Sequence, residues 1–256
     1  MKPKTARHLK YTALGLCLLL TIMLTGCRRA KNIYSQADEV RMGTEFAKAF
    51  SKGPDGKKVI SSGNLVTRLQ SVARPVLDLA RKDWDVPYTV TLLDDDEVNA
   101  FAVPGGPIYV NTGLLRLASN DDELASVLAH EASHIVRRHS AKQLSDAAIK
   151  SSIVGLLLGN ANKSVRTVVG LTMNIKDREF SRGDESDADT YGFKYLVQAG
   201  YDGHGMASMF TKMQATASKT NEKLAFLSTH PLTRKRIEAA QQKAIAFDNG
   251  TWSAPK

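Results

Sequence analysis

The sequence predicts a mainly helical α+β domain carrying one small sheet. Three observations predict it. Apolar residues recur at helical spacing over most of the chain, β-branched and aromatic residues concentrate between residues 87 and 111, and "VLAHEASHIVRRH" (127–139) sets two histidines four apart on one helix. With 256 residues, 43% hydrophobic and 24% charged, the chain has room for one substantial core and reads as globular.

The first segment is not part of that core. "MKPKTARHLKY" is basic and "TALGLCLLLTIML" is an apolar run too short to span a bilayer comfortably, the pattern of a secretory signal. It ends in Leu24-Thr25-Gly26-Cys27, which resembles the bacterial lipobox, so residues 1–26 are expected to be a lipoprotein signal peptide and Cys27 the acylated first residue of the mature chain. A retained membrane helix or a plain cleaved signal is the alternative, and either sends the domain across the inner membrane. Cys17 and Cys27 are the only cysteines, so the mature chain holds no internal disulfide. Lys2, Lys4, Arg7 and Lys10 leave with the signal, which carries no acid, so the formal charge falls from +9 to +5. That modest excess in an exported chain argues against nucleic acid as a partner. Arg28, Arg29 and Lys31 suit anionic headgroups beside a lipid anchor.

Residues 27–60 are assigned to the anchor, a basic tether and an N-terminal helix over 34–51, closed by the turn-rich "KGPDGKK". The main domain is expected over 61–248, with a short C-terminal tail at 249–256. Within it 62–82 is helical despite Pro75, "PYTVTLL" (87–93) is a strand, and "NAFAV" and "PIYVN" flank "PGG" as two strands with a hairpin-like connection. The chain is helical from there almost to its end. Residues 151–175 are apolar but interrupted by Asn160, Asn162, Lys163 and Arg166, which reads as a packed or interfacial helix and not a membrane span.

Asn120 followed by Glu123 makes a capping-box-like start for the helix carrying the two histidines. Leu124, Ala125, Leu128, Ala132, Ile135 and Val136 fall on one face of it, and His130 and His134 lie together on the other. One turn apart, the two imidazoles can bind one ion, and Glu131 can reach a water beside it, the HExxH arrangement. A solvated histidine pair on an amphipathic helix would show the same spacing. A metzincin would need Gly at 137 and His at 140, where the chain has Arg137 and Ser140, so that class is excluded. His139, five residues after His134, would lie about 140° around a continuous helix and reads as a polar or C-terminal-turn residue.

A third ligand can come from a carboxylate on a later helix. "SRGDESDADTYG" (181–192) offers Glu185 and Asp189, again four apart, so that one can bind a metal while the other stays beside it. The same acids would suit an ordinary helix N-terminus.

Four ordered blocks, "NAFAVPGGPIYVNTGLL", "DELASVLAHEASH", "SRGDESDAD" and "THPLTRKRI", resemble the HtpX-like gluzincin family of zinc metallopeptidases over about 99–237. Ser133 and Asp187 depart from the residues common there, at positions that do not carry the chemistry. The resemblance implies a zincin-like domain with one zinc ion per chain, held by His130, His134 and Glu185. It also implies Glu131 as general base and Asp189 as a second acidic catalytic residue. "GGPIYV", with Gly105, Gly106, Ile108 and Tyr109, is a candidate edge strand on which an extended substrate could pair; an ordinary core strand is the alternative. His230, before Pro231, could stabilise an oxyanion or fill the open metal position and restrain activity, or be a plain helix-entry residue.

The expected function is peptide-bond hydrolysis by a lipid-anchored zinc metalloendopeptidase of the bacterial envelope, acting on misfolded or stalled envelope proteins. Arg28, not Asp, follows Cys27, which in a Gram-negative host implies the periplasmic face of the outer membrane; a Gram-positive host would put the chain on the outer surface of the cell membrane. Two other classes compete: an envelope chaperone or assembly factor with a latent or structural zinc site, and a binding lipoprotein without metal.

Overall fold

A computed structural model describes residues 32–51, 58–157, 179–220 and 224–255. The signal segment, Cys27, the basic tether and most of 151–175 lie outside them. Among the described residues the order is α1 (Gln36–Ser51), β1 (Lys58–Ile60), α2 (Asn64–Asp83), β2 (Thr89–Asp94), β3 (Ala100–Ala102), β4 (Pro107–Asn111) and α3 (Thr112–Leu117). There follow α4 (Asp121–Val136), α5 (His139–Leu157), α6 (Arg182–Gln198), α7 (His204–Thr220), α8 (Ala225–Thr229) and α9 (Arg234–Asp248). This is the expected helical domain with one small sheet. No helix among the described residues is long and apolar enough to cross a membrane.

The sheet runs β1-β2-β4-β3. β1 pairs antiparallel with β2 (Val59 opposite Leu93), and β2 parallel with β4 (Thr91 opposite Tyr109). β3 and β4 form the hairpin expected across Pro104-Gly105-Gly106, with Phe101 opposite Tyr109. Side chains alternate between two buried faces, as the pleat requires. Leu92, Ala100, Ala102, Ile108 and Val110 join the main core with α2 and α4. Leu93, Phe101 and Tyr109 form a second cluster with Phe46 and Phe50 of α1, where the Phe50 and Tyr109 ring centroids lie 4.8 Å apart.

β4 therefore lies inside the sheet, hydrogen-bonded on both sides, and does not offer an edge to substrate. Ile108 and Tyr109 are buried, and the two glycines answer to the fold. Both have positive φ, and a Cβ on Gly105 would stand 2.2 Å from the Glu39 carbonyl oxygen, so the turn is pressed against α1. The edge strands are β1 and β3, and β3 is the one beside α4.

Among the described residues, α1 clusters with the elements that follow it. The tail is held as far as Trp252, whose ring lies 5.2 Å from Phe193 and whose N–H, with that of Thr251, donates to the Ala246 carbonyl.

Candidate active site

Helix α4 starts as its sequence prescribes: the Asn120 side chain accepts the Glu123 N–H at 2.9 Å, and the Glu123 carboxylate accepts the Ser119 N–H at 2.7 Å. Its polar face is not wet. Every residue from Glu123 to Ile135 is buried, because α4 is the central helix, packed between α2, α6, α7 and β3. Buried histidines need partners, and the neighbouring elements supply them.

His130 and His134 present their rings edge to face, with Nε2 atoms 3.1 Å apart. Helix α6 crosses α4 where Gly192 meets His130, so closely that a Cβ there would be 3.2 Å from the His130 Cα. Gly192 shares a helical face with Glu185 and Asp189, and the crossing carries both acids to the histidines. The Glu185 oxygens lie 3.4 Å from His134 Nε2 and 3.6 Å from His130 Nε2. His230, just after α8, completes the group. Its Nδ1 is 3.3 Å from His130 Nε2 and 3.0 Å from Glu185 Oε1. Its ring is stacked between Phe226 at 4.5 Å and Phe180 at 5.1 Å. Backbone bonds fix the segment on both sides: Phe226 N–H donates to the Val98 carbonyl at 3.2 Å, and Phe180 N–H to the Thr229 carbonyl at 2.9 Å.

One donor atom from each of His130, His134, Glu185 and His230 lies within 4.8 Å of the others, and all four residues are buried. Such a group could hold a metal ion. Tetrahedral ligands about 2.0–2.1 Å from zinc stand about 3.3 Å from one another; the closer donor pairs here, built on His130 Nε2, His134 Nε2, His230 Nδ1 and Glu185 Oε1, are 3.0 to 3.4 Å apart, and the widest is within 4.8 Å. Burial holds the His134 imidazole well below its ordinary pKa, which leaves it neutral and able to ligate. Burial alone would raise Glu185, but the imidazoles of His230, His134 and His130 more than offset it and keep the carboxyl well below its usual range. Three nitrogens and one carboxylate oxygen form a donor set suited to a divalent ion of borderline softness.

Glu131 stands beside this group and belongs to none of the bonds within it. Its carboxylate makes no side-chain hydrogen bond, and the nearest titratable contact is His230 Nε2 at 3.4 Å. Burial pushes its pKa up to about 8, a rise that the adjacent His130 and the Ala102 backbone N–H moderate. A buried carboxylate with proton affinity near neutrality is suited to taking and giving a proton.

Asp189 does not reach the donor atoms. Its Oδ1 is 3.1 Å from His130 Nδ1, and the fork of Arg236 grips it through two bonds of 2.7 Å. Burial would raise the Asp189 carboxyl, and the guanidinium overrides this and holds it at about 2. Arg236 also pairs with Glu185 and donates to the Pro231 carbonyl at 2.9 Å.

His139 is 1% exposed, with Nδ1 3.0 Å from His134 Nδ1, which corrects its reading as a polar residue at a helix end. Asp187 is likewise more than local packing: it accepts from Arg137 Nε at 2.6 Å and lies 3.1 Å from His139 Nε2. Ser133, by contrast, bonds only to its own helix, at the Ala129 carbonyl. Gly105, Gly106, Ile108 and Tyr109 stay with the sheet core. Arg236 and Gly192 are the site residues that sequence reasoning missed. Both left a trace: Gly192 falls at helical spacing from Glu185, and Arg236 lies on the buried stripe of α9 with Ile237, Ala240 and Ala244.

Imidazoles and a carboxylate from α4, α6 and the segment after α8 converge on one point beside a buried glutamate, an arrangement that fits the metallopeptidase class. Comparison with known sequences agrees with that class. A family model described as Peptidase family M48 matches residues 63–244, and the chain belongs to that family. It is 34% identical over 158 residues to the mitochondrial metalloendopeptidase OMA1 of Schizosaccharomyces pombe, covering 62% of this chain and 47% of that protein. It is 31% identical over 175 residues to a putative beta-barrel assembly-enhancing protease of Vibrio cholerae, covering 64% of this chain and 36% of that one. The Escherichia coli beta-barrel assembly-enhancing protease is 29% identical over 168 residues, covering 62% and 34%. The chain thus spans between about a third and a half of the length of these relatives.

Proposed function

We propose that the chain is a lipid-anchored zinc metalloendopeptidase of the bacterial envelope, with unfolded or misassembled envelope proteins as its substrates. The observation that carries this reading is the buried carboxylate of Glu131 beside four converging donors. His130, His134 and Glu185 hold the ion. Zinc, when bound, supplies Lewis-acid polarisation of a carbonyl and lowers the pKa of a nearby water.

The remaining work falls to the chain's own groups. Glu131 takes the proton of the attacking water as the new C–O bond forms, and returns it to the amine as the C–N bond breaks. Asp189 orients His130, and Arg236 holds Asp189. The edge strand β3 takes over the substrate-pairing role expected of "GGPIYV", since an extended peptide can add at a sheet edge as a further strand. The lipobox at Cys27 and the Arg28 that follows support a membrane tether at the periplasmic face of the outer membrane. The Vibrio and Escherichia relatives are named for enhancing beta-barrel assembly, which supports substrates among proteins under assembly.

Glu131→Gln should retain zinc and lose cleavage of an unfolded protein by roughly 10²–10⁴-fold, the usual worth of a general base. Undiminished cleavage would rule the base out.

A second reading, an assembly factor whose zinc site is latent or structural, is favoured by one observation: His230 stands where the open metal position of an active site should be. His230→Ala separates the two. Cleavage that rises several-fold marks an enzyme restrained by its own histidine, cleavage that falls marks transition-state help, and an unchanged rate removes His230 from the mechanism.

A further inference from the structure

The chain does not continue as one helix through the HExxH segment. Arg138 adopts φ 58°, a left-handed conformation unusual for a residue with a side chain. Three contacts hold it there: its guanidinium bonds Glu39 and the Tyr34 carbonyl and lies 4.7 Å over the Trp84 ring. The turn ends α4 and starts α5 at His139, folding that imidazole back under His134 with ring centroids 5.0 Å apart. His139 is not among the four converging donors.

We propose that His139 is a positioning residue of the metal site: an imidazole that donates from Nε2 to Asp187, accepts at Nδ1 from His134 and so fixes the tautomer of His134. The proposal rests on the reading of His134 as a metal ligand. Its logic is a count of protons along a row of hydrogen bonds. An ionised Asp187 can only accept, and it already accepts from Arg137. Its approach to His139 Nε2 at 3.1 Å therefore calls for a proton on that nitrogen. The 3.0 Å contact between the Nδ1 atoms of His139 and His134 then needs one proton between them, and only its placement on His134 Nδ1 leaves His134 Nε2 free for a metal. His134 Nε2 is left with its lone pair directed at His130 Nε2 and Glu185, where a metal would bind. The opposite arrangement, with the shared proton on His139 Nδ1, would put a hydrogen on His134 Nε2 and block ligation. Asp187, part-exposed at the outer end of the row, thus selects the ligand-competent tautomer two residues away in the chain of bonds.

The test uses the full-length chain in detergent with zinc as the only added ligand. Zinc affinity is measured by competition with a chromophoric chelator for the wild type, His139→Phe and His139→Asn. The phenyl ring fills the site without accepting a bond, and the carboxamide can both accept and donate. Phe is expected to weaken zinc binding by about 10–100-fold, with Asn recovering most of the loss. Nitrogen-15 imidazole spectra of the zinc-loaded wild type, which need no variant to fold, should show His134 protonated at Nδ1 and His139 at Nε2. A His139 proton at Nδ1, unchanged affinity in His139→Phe, or equal losses in Phe and Asn would overturn the proposal while leaving the metal reading intact. A wild-type chain that takes up no zinc would overturn both.

Discussion

The two imidazoles of the HExxH helix are one turn apart and equally buried, yet they are braced differently. His130 meets a carboxylate directly: Asp189 is 4% exposed and clamped by both arms of Arg236, itself tied to Glu185. His134 reaches its carboxylate through another imidazole, and Asp187 lies at the rim with about a quarter of its side chain exposed. The inner brace joins a charge pair to the core, so its loss strands charge where water cannot follow. The outer brace ends where water can replace a missing partner. The same local task therefore carries different energetic stakes on the two sides of one helix.

The largest expected effect breaks the inner brace. Arg236→Leu leaves Asp189 and Glu185 buried without their cation and should destabilise the zinc-free protein by about 3–5 kcal/mol, read by urea denaturation. A loss below about 1 kcal/mol would mean that the clamp is not a structural necessity. Next comes Asp189→Asn, which keeps volume but removes the anion facing His130. Zinc affinity should fall by about 10–100-fold with chelator competition as the measurement, and unaltered affinity would deny Asp189 its orienting role. The smallest effect belongs to the outer brace. Asp187→Ala should cost less than about 1 kcal/mol in the same denaturation experiment, because this carboxylate is part-exposed. If Asp187→Ala proves as damaging as Arg236→Leu, the contrast between the braces fails.

What the sequence made legible follows the range of the interactions involved. His130, Glu131 and His134 declare themselves because their relation is set by one helical turn, and Glu185 and Asp189 by the same rule on another helix. Both helix starts carried readable caps, at Asn120 and Ser181. Strand order was not legible. The parallel pairing of β2 with β4 joins segments separated by β3, and nothing in "GGPIYV" itself says whether it lies inside a sheet or at its rim. His139 was misplaced for a local reason: helix extrapolation passes through Arg138, which is neither Gly nor Asn and gives no sign of its left-handed turn. That conformation depends on Glu39, Tyr34 and Trp84, all remote in sequence. In "RKRI", only the apolar residues that share its face separate the buried Arg236 from its exposed neighbours.

The seating of His230 couples the candidate metal site to the segments around it. Its ring is stacked on Phe226 and Phe180, and the backbone of those two residues is bonded to Val98 and Thr229. If His230→Ala marks restraint, each stacked pair, worth about 0.5–1.5 kcal/mol, favours the closed form by about 2- to 13-fold, and a ligand that engaged either phenyl ring would tune the rate from outside the donor set.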